Sequence, residues 1–375
     1  MQGASILVVG GGIGGLTAAI ALRRKGFDVE IIERDPNWSV YGVGIIQQMN
    51  TVRAMNELGV LDQYLSLAYG FDKTTLFAGP VGAKVAEFDA PRLAGAEFPS
   101  NAGIRRTDLQ KVLGDAAKAN GARIRLGLTV ESMMDDGEGV DVLFSDGGRG
   151  RYDIVVGADG VFSTTRAALF PEISAPRYTG QWVWRYNLPK PGDLDGIQIW
   201  TGAIEAGLVP MSDALMYMFF VTEEPEGFQL DPSGAARQMQ DRAIKLAPPN
   251  LKPWIEQITE DSGVVARPME VIFLEDQPWS KGRVVLVGDA VHASTPHLAQ
   301  GAGMAIEDGL VLAEELEKAQ TPEAAFEAYR ARRFDRVSHV ARVSVAIGDG
   351  QMGKGPQVDM NTTMAQTMAM MAEPI

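Results

Sequence analysis

The chain contains no cysteine in 375 residues, which excludes disulfides, a thiolate nucleophile, a cysteine-based zinc site and any dithiol redox relay. Redox chemistry, if present, must belong to a cofactor. Histidine is almost as scarce: His292, His297 and His339 are the full set, and none stands at a spacing from another histidine or a carboxylate that suggests a metal site. Basic charge is in deficit, with 34 Lys and Arg against 48 Asp and Glu for a formal charge of -14. That balance argues against a nucleic-acid surface or an anionic membrane as partner. Long apolar runs are missing too. The N-terminal run is too short to span a bilayer, is broken by glycines and has no leading basic region or signal cleavage site, so no membrane span and a cytoplasmic location are expected.

What is present begins at Ser5. The run Ile6-Leu7-Val8-Val9 is continuous and apolar, as a parallel strand buried on both faces should be, and it ends in Gly10-x-Gly12-x-x-Gly15. From Ile13 to Lys25 the apolar residues recur at helical spacing, Gly26 is placed to stop the helix, and a second strand, Val29 to Ile32, closes on Glu33. Gly10 suits the tight turn, Gly12 the close approach of backbone to a pyrophosphate, and Gly15 the packing of helix on strand. The anion would then rest on the helix N-terminus. Glu33 falls 18 residues after Gly15, where a carboxylate can accept hydrogen bonds from an adenosine ribose and disfavours a 2′-phosphate. With all parts in register, the stretch reads as a dinucleotide site.

Two later stretches repeat the pattern of a buried strand running into a glycine-flanked acid. One is Ile154-Val155-Val156-Gly157-Ala158-Asp159-Gly160, with Ser163 and Arg166 following; a strand end with a capping aspartate is its plain alternative. The other is Val284-Val285-Leu286-Val287-Gly288-Asp289, followed by Gln300-Gly301-Ala302-Gly303 and a helix expected from about Met304 to Leu316. Ligands of open α/β sheets bind at strand carboxyl ends, which puts Asp289 and the Gly301 to Gly303 turn in one pocket. Elsewhere the pattern predicts a helix from about Asn50 to Leu58, strands at Ala122 to Val130 and Gly139 to Phe144, and a helix after Arg106 with Thr107 as N-cap. Between the second and third motifs it predicts strands at Gln181 to Leu188, Ile197 to Ile204, Ala206 to Pro210, Leu215 to Val221 and Val264 to Phe273, and a helix over Pro232 to Lys245. The methionine-rich segment Asn361 to Met371 reads as an apolar helix docking on the protein or on a second subunit.

Taken together and in this order, the three motifs resemble the class A flavoprotein monooxygenases, the p-hydroxybenzoate and salicylate hydroxylase group. The form Thr295-Pro296-His297-Leu298-Ala299-Gln300-Gly301-Ala302-Gly303 with Ile306-Glu307-Asp308 is most similar to the salicylate and 6-hydroxynicotinate hydroxylase branch. The resemblance implies an α/β fold: a Rossmann-like FAD-binding domain (1–73, 101–175 and 279–340), an interleaved α+β substrate domain (74–100 and 176–278) whose mixed sheet roofs the flavin, and a C-terminal helical tail (341–375). It implies FAD, held by Glu33 with its neighbour Arg34, by Gly44, by Arg106, by backbone near Val130 against adenine, by Asp289 near the pyrophosphate and ribityl chain, and by the backbone N–H groups of Gly301, Ala302 and Gly303 at the flavin ring. Asp159 would support this site rather than perform chemistry, and the glycines Gly42 and Gly44 would allow movement between reduction and hydroxylation. NADH or NADPH and O2 are the implied co-substrates. No separate domain for the nicotinamide cofactor is visible in the chain. The implied reaction is hydroxylation of a small aromatic substrate through a C4a-hydroperoxyflavin, in a monomer or homodimer. A flavin epoxidase acting on a larger apolar substrate, or a flavin-binding protein without turnover, remains the alternative.

Three residues are candidates for substrate chemistry. Arg185 is a charge inside the aromatic strand Trp182-Val183-Trp184-Arg185-Tyr186, costly unless paired or serving an anion, with an outward-facing arginine as the alternative. Tyr217 either hydrogen-bonds a substrate hydroxyl or fills the core. His297 either acts as a base toward a phenol-like substrate or caps its loop. His292 is expected to be structural and His339 solvent-exposed on a polar helix.

Overall fold

The computed structural model describes residues 1, 3–40 and 42–375. Its first strand, Ser5–Val9, is almost wholly buried, as its uninterrupted apolar run requires. It pairs in parallel with Asp28–Glu33 on one side and Ile154–Gly157 on the other. Arg123–Leu126 extends the sheet past Asp28–Glu33, while Val284–Leu286 and Ser280–Lys281 extend it past Ile154–Gly157, giving six strands. Val9, Gly157 and Leu286 lie abreast in neighbouring strands. The three motifs, far apart along the chain, therefore end at one carboxyl edge.

Small residues let the helices above this edge come close. The helix Ile13–Arg24 packs on Gly301–Lys318, and a Cβ on Gly309 would sit 2.7 Å from the Ala18 amide nitrogen, while one on Gly14 would lie 3.4 Å from the Ala305 methyl. Behind them runs Pro322–Gln351, its N-terminus capped by the Thr321 hydroxyl accepting from the Ala324 N–H. That helix continues unbroken past residue 341, where the C-terminal tail was expected to start. The tail helix, Met360–Ala372, buries Thr367 and Met371 and packs on Met49–Glu57 and Pro322–Gln351, as an apolar docking helix should.

A second, seven-stranded sheet runs in the order Val265–Val271, Arg177–Pro189, Leu215–Glu223, Glu205–Pro210, Ile197–Thr201, Lys73–Ala78, Ala83–Asp89. Strand alternation divides its side chains. Trp182, Trp184, Tyr186, Met216, Met218 and Phe220 pack on one face against Met239 and Ala243 of Ala235–Ala243. Val183, Arg185, Asn187, Tyr217, Phe219 and Glu205 belong to the opposite face, where Tyr217 and Val209 meet Ile46 and Phe71 of a three-stranded sheet formed by Gly44–Gln47, Asn101–Arg105 and Tyr69–Phe71.

Several elements differ from expectation. The helix expected to be capped by Thr107 is Arg106–Ala119, with Arg105 at the N-cap position and no side-chain cap hydrogen bond. The strand expected over 122–130 is two strands: Arg123–Leu126 joins the six-stranded sheet, Gly127 turns the chain at φ 75°, and Val130–Asp135 pairs antiparallel with Val140–Phe144. The helix expected over 232–245 is shorter, Ala235–Ala243. Its start is fixed from afar by Asp261, whose carboxylate accepts from the Gly234 and Ala236 N–H groups at 2.8 Å.

Candidate functional site

The glycine loop owes its shape to three different constraints. Gly10 has φ 110°, and a Cβ there would collide with the Ala158 carbonyl; a Cβ on Gly15 would collide with the Gly10 carbonyl. Gly12 has open space beside it, with nothing within 4 Å of where a Cβ would stand. The residue between, Gly11, is pinned on both sides. Its N–H donates to Glu33 Oε2 at 2.9 Å, and its carbonyl accepts from Trp38 Nε1 and Gln110 Nε2, both at 2.8 Å. Glu33 thus reaches the glycine loop from the end of the second strand, where its spacing placed it. Its other oxygen accepts from the Asp35 N–H. The Leu128 N–H donates to the Glu33 carbonyl at 3.0 Å, which brings the turn before Val130 to the same strand end. Arg34 is exposed and stands beside Asp35, whose pKa is lowered chiefly by the Asn37 and Ser39 N–H groups. Sequence reasoning missed Trp38 and Gln110. Trp38 adopts φ 52°, a conformation no local pattern announces for tryptophan. Gln110 follows Arg106 by one helical turn, which was a usable signal.

Asp159 is an organiser of backbone. Its carboxylate accepts from Ser163 Oγ at 2.5 Å, the Thr165 N–H at 2.9 Å and Thr165 Oγ1 at 3.0 Å. Ser163 in turn caps Thr164–Leu169. From that helix the buried Arg166 donates to the Val161 and Ala290 carbonyls at 2.7 and 2.9 Å, tying the second motif to the third. Asp289 opens the short Asp289–His292 turn and keeps exposed surface although much protein surrounds it. Its pKa is raised by burial against the opposing pull of His292 and Arg106.

The glycine turn is itself the first turn of a helix, Gly301–Lys318, which starts earlier than expected. Gly301 and Ala302 are half-buried, and Gly303 presses on Thr51, whose hydroxyl a Cβ would strike. The first N–H groups of a helix have no partner within it and carry the positive end of its dipole. A buried network holds this helix. Gln300 accepts from Asn50 Nδ2 at 3.0 Å, the same nitrogen donates to Glu307 at 2.9 Å, and Arg333 pairs with Glu307 at 2.5 Å and with Asp308 at 2.8 Å. Asp308 also accepts from the Gly288 N–H, and His292 Nε2 lies 2.6 Å from it, which makes His292 structural as expected. The open space at Gly12, the amides at Gly301 and Ala302 and the exposed Asp289 fit a dinucleotide with a ring at the turn.

Across the cleft stands the seven-stranded sheet. Arg185 is half-buried on the sheet face that includes Tyr217, and among the described residues no carboxylate pairs with it. Burial, then the nearby Arg106 charge, lowers its pKa to about 10, and Tyr217 partly offsets them. Tyr217 is buried, its pKa raised by burial to about 12 against the opposing pull of the Arg185 and Arg106 charges and of the Ile46 backbone. Arg106, Arg185, Tyr217 and Asp289 are thereby brought together. Gly44, one of the two glycines expected to allow movement, opens a paired strand, and a Cβ on it would collide with the Tyr217 ring, so the close approach needs a glycine; nearby, the Gly42 carbonyl accepts from Asn187 Nδ2 at 2.9 Å.

His297 is placed apart from that cluster. Its imidazole is enclosed, with Nδ1 at 2.8 Å from Thr295 Oγ1 and Nε2 at 3.1 Å from Gln351 Oε1, so neither ring nitrogen faces the cleft directly. His339 differs from expectation. It is half-buried, with Nε2 2.8 Å from Thr367 Oγ1 of the methionine-rich helix, because that helix covers the face the sequence left polar.

Comparison with known proteins gives the family of the chain. The model of the FAD binding domain family matches residues 3–344. The Aurachin C monooxygenase/isomerase of Stigmatella aurantiaca is 32% identical over 92% of this chain and 89% of its own. The 6-hydroxynicotinate 3-monooxygenase of Pseudomonas fluorescens is 30% identical over 92% of this chain and 91% of its own. Among solved structures, HpxO of Klebsiella pneumoniae complexed with FAD and uric acid superposes with a TM-score of 0.83 at 26% identity, covering 100% of this chain and 94% of that one.

Proposed function

This chain belongs to the FAD binding domain family and is an FAD-dependent monooxygenase, and from that premise we propose that it hydroxylates a small, anionic aromatic substrate using NADH or NADPH and O2. The redox chemistry, acceptance of hydride and activation of O2, is what FAD supplies when bound. The chain's own residues bind, orient and exclude water. Glu33 and the Gly10 to Gly15 loop would hold the adenosine end, with Arg34 and the backbone near Val130 beside it. Asp289 and Arg106 would hold the pyrophosphate and ribityl chain, and the amides of Gly301, Ala302 and Gly303 would favour negative charge on the ring side. Asp159 fixes the turn beneath them.

The observation that carries the substrate class is Arg185. A guanidinium in a half-buried sheet face without a carboxylate partner among the described residues is costly unless an anion completes it. Tyr217, kept a phenol at neutral pH, is placed beside it to hydrogen-bond the same ligand. His297 would draw a substrate proton only through the Thr295 hydroxyl, which it contacts.

The test is consumption of NADH and of NADPH by the flavin-loaded protein against hydroxybenzoates, hydroxypyridine carboxylates and neutral phenols, with peroxide and hydroxylated product measured together. Stimulation with coupled product by the acids alone supports the reading. Basal oxidation yielding only peroxide with every acid overturns it.

A further inference from the structure

At the end of the roofing sheet nearest His297, four side chains from four separate elements form one hydrogen-bonded knot. Gln351, at the end of the long helix, accepts on Oε1 from Gln181 Nε2 at 2.9 Å and from His297 Nε2, and donates through Nε2 to the Glu205 carboxylate. An amide oxygen only accepts, so the hydrogen-bond pattern assigns His297 a proton on Nε2, and in the neutral imidazole Nδ1 then accepts from the Thr295 hydroxyl. His297 Nε2 and Glu205 Oε2 are 3.9 Å apart. The knot has room because of Gly348: a Cβ there would sit 2.6 Å from Gln181 Oε1, a buried acceptor without a partner, and 3.1 Å from His297 Cε1.

Outside the knot lies a cavity of about 660 Å³ lined by Gln181, Glu205, Gln351 and, farther out, Glu223, Asp241 and Arg242. On its inner side the knot meets Thr295, on the loop that runs into the Gly301 turn. We propose that Glu205 is the solvent-side end of a proton path whose inner group is His297, with Gln351 as the movable bridge between them. The proposal rests on the hydroxylase reading, because an aromatic hydroxyl in the cleft must release its proton to become electron-rich.

Each transfer balances without any change in electrons. The substrate O–H bond breaks as its proton joins Thr295 Oγ1, and the Thr295 proton passes to His297 Nδ1. The imidazolium then releases its Nε2 proton to Glu205 Oε2 once Gln351 swings aside, and the carboxyl gives that proton to water in the cavity. Burial raises the Glu205 pKa against the pull of His297 and Gln351, which suits it to hold a proton in transit. The charged side chains lining the cavity with it include the acids Glu223, Glu224 and Asp241 and the bases Arg242 and Lys245, and Glu224 is paired with Arg242 at 2.5 Å.

With three histidines in the chain, NMR of the labelled imidazoles in the flavin-loaded protein resolves each titration, and His297→Asn assigns its signal. Glu205→Gln is expected to move the His297 titration relative to the unsubstituted protein, toward lower pH, since it removes a carboxylate 3.9 Å from Nε2. It should also slow, at least about tenfold, the proton release seen with a pH indicator when 3-hydroxybenzoate is added. Flavin content should not change. Glu205→Asp should restore part of both effects; it also serves as the second variant should Glu205→Gln fail to load flavin. An unaltered His297 titration in Glu205→Gln, or an unaltered release rate, overturns the path. If 3-hydroxybenzoate does not bind even to the unsubstituted protein, proton release is followed with the acid of the panel that stimulates oxidation; if none does, the substrate reading fails while the histidine titration still decides whether Glu205 and His297 are coupled.

Discussion

At the scale of single residues, the site turns on Arg185, a charge with no carboxylate partner among the described residues. Arg185 should lose little stability and much affinity when replaced: Arg185→Met is expected to keep its flavin while its Kd for an aromatic carboxylate, followed by flavin absorbance, rises about 10- to 100-fold, the worth of a charged hydrogen bond. Unchanged affinity would remove the anion-binding role. Because its pKa is lowered to about 10, the unsubstituted protein should bind the same ligand evenly near neutral pH and more weakly as the pH rises through about 10. A flat titration to higher pH would place the binding charge elsewhere. For the cofactor side, Asp289→Ala should purify with depleted flavin, read as the ratio of visible to protein absorbance, and a fully flavinated variant would sink its assignment. Arg185 was legible because a charge in an aromatic strand is conspicuous. Trp38 and Gln110 were not, since both act on the Gly11 carbonyl through contacts made only once the loop is folded. His297 was legible as a residue but not as a geometry: the partners that enclose it come from 351 and 205, and no local pattern joins those positions.

At the scale of elements, the helix Gly301–Lys318 is placed by charges buried beneath it. Arg333 faces Glu307 and Asp308 with no solvent exposure on any of the three side chains. Removing one member of such a set leaves uncompensated charge in the interior, typically about 3–5 kcal/mol. Arg333→Met is therefore expected to lower the thermal midpoint by several degrees and to weaken flavin binding with it. A midpoint within one degree of the unsubstituted protein would show that the network positions nothing. The pH dependence has a definite sign. Burial acts to raise the Asp308 pKa, but the His292 and Arg333 charges outweigh it and hold the carboxyl well below the ordinary carboxylate range. A lowered pKa in the folded state stabilises the fold above the unfolded value, about 3.9, and that contribution disappears as the pH falls below it. The glycine turn and its helix were readable from spacing, whereas the starts of other elements were set at a distance. Asp261 caps a helix 25 residues away from the Ala236 N–H it holds, and Gly127 splits one expected strand into two that join different sheets.

At the scale of the whole molecule, the sequence showed the order of its motifs but not their meeting. Val9, Gly157 and Leu286 stand abreast, and the packing face of the first helix, Gly14 and Ala18, is completed by Ala305 and Gly309. Synthesis proceeds from the N-terminus, so the strand made first waits for partners made near the end. A nascent chain that stops short of residue 301 carries the glycine fingerprint yet has nothing to cover that helix face. Chains released at that length are expected to aggregate and to take up no flavin. Flavin capture should then be a late event in the life of each molecule, timed by translation rather than by the fingerprint itself.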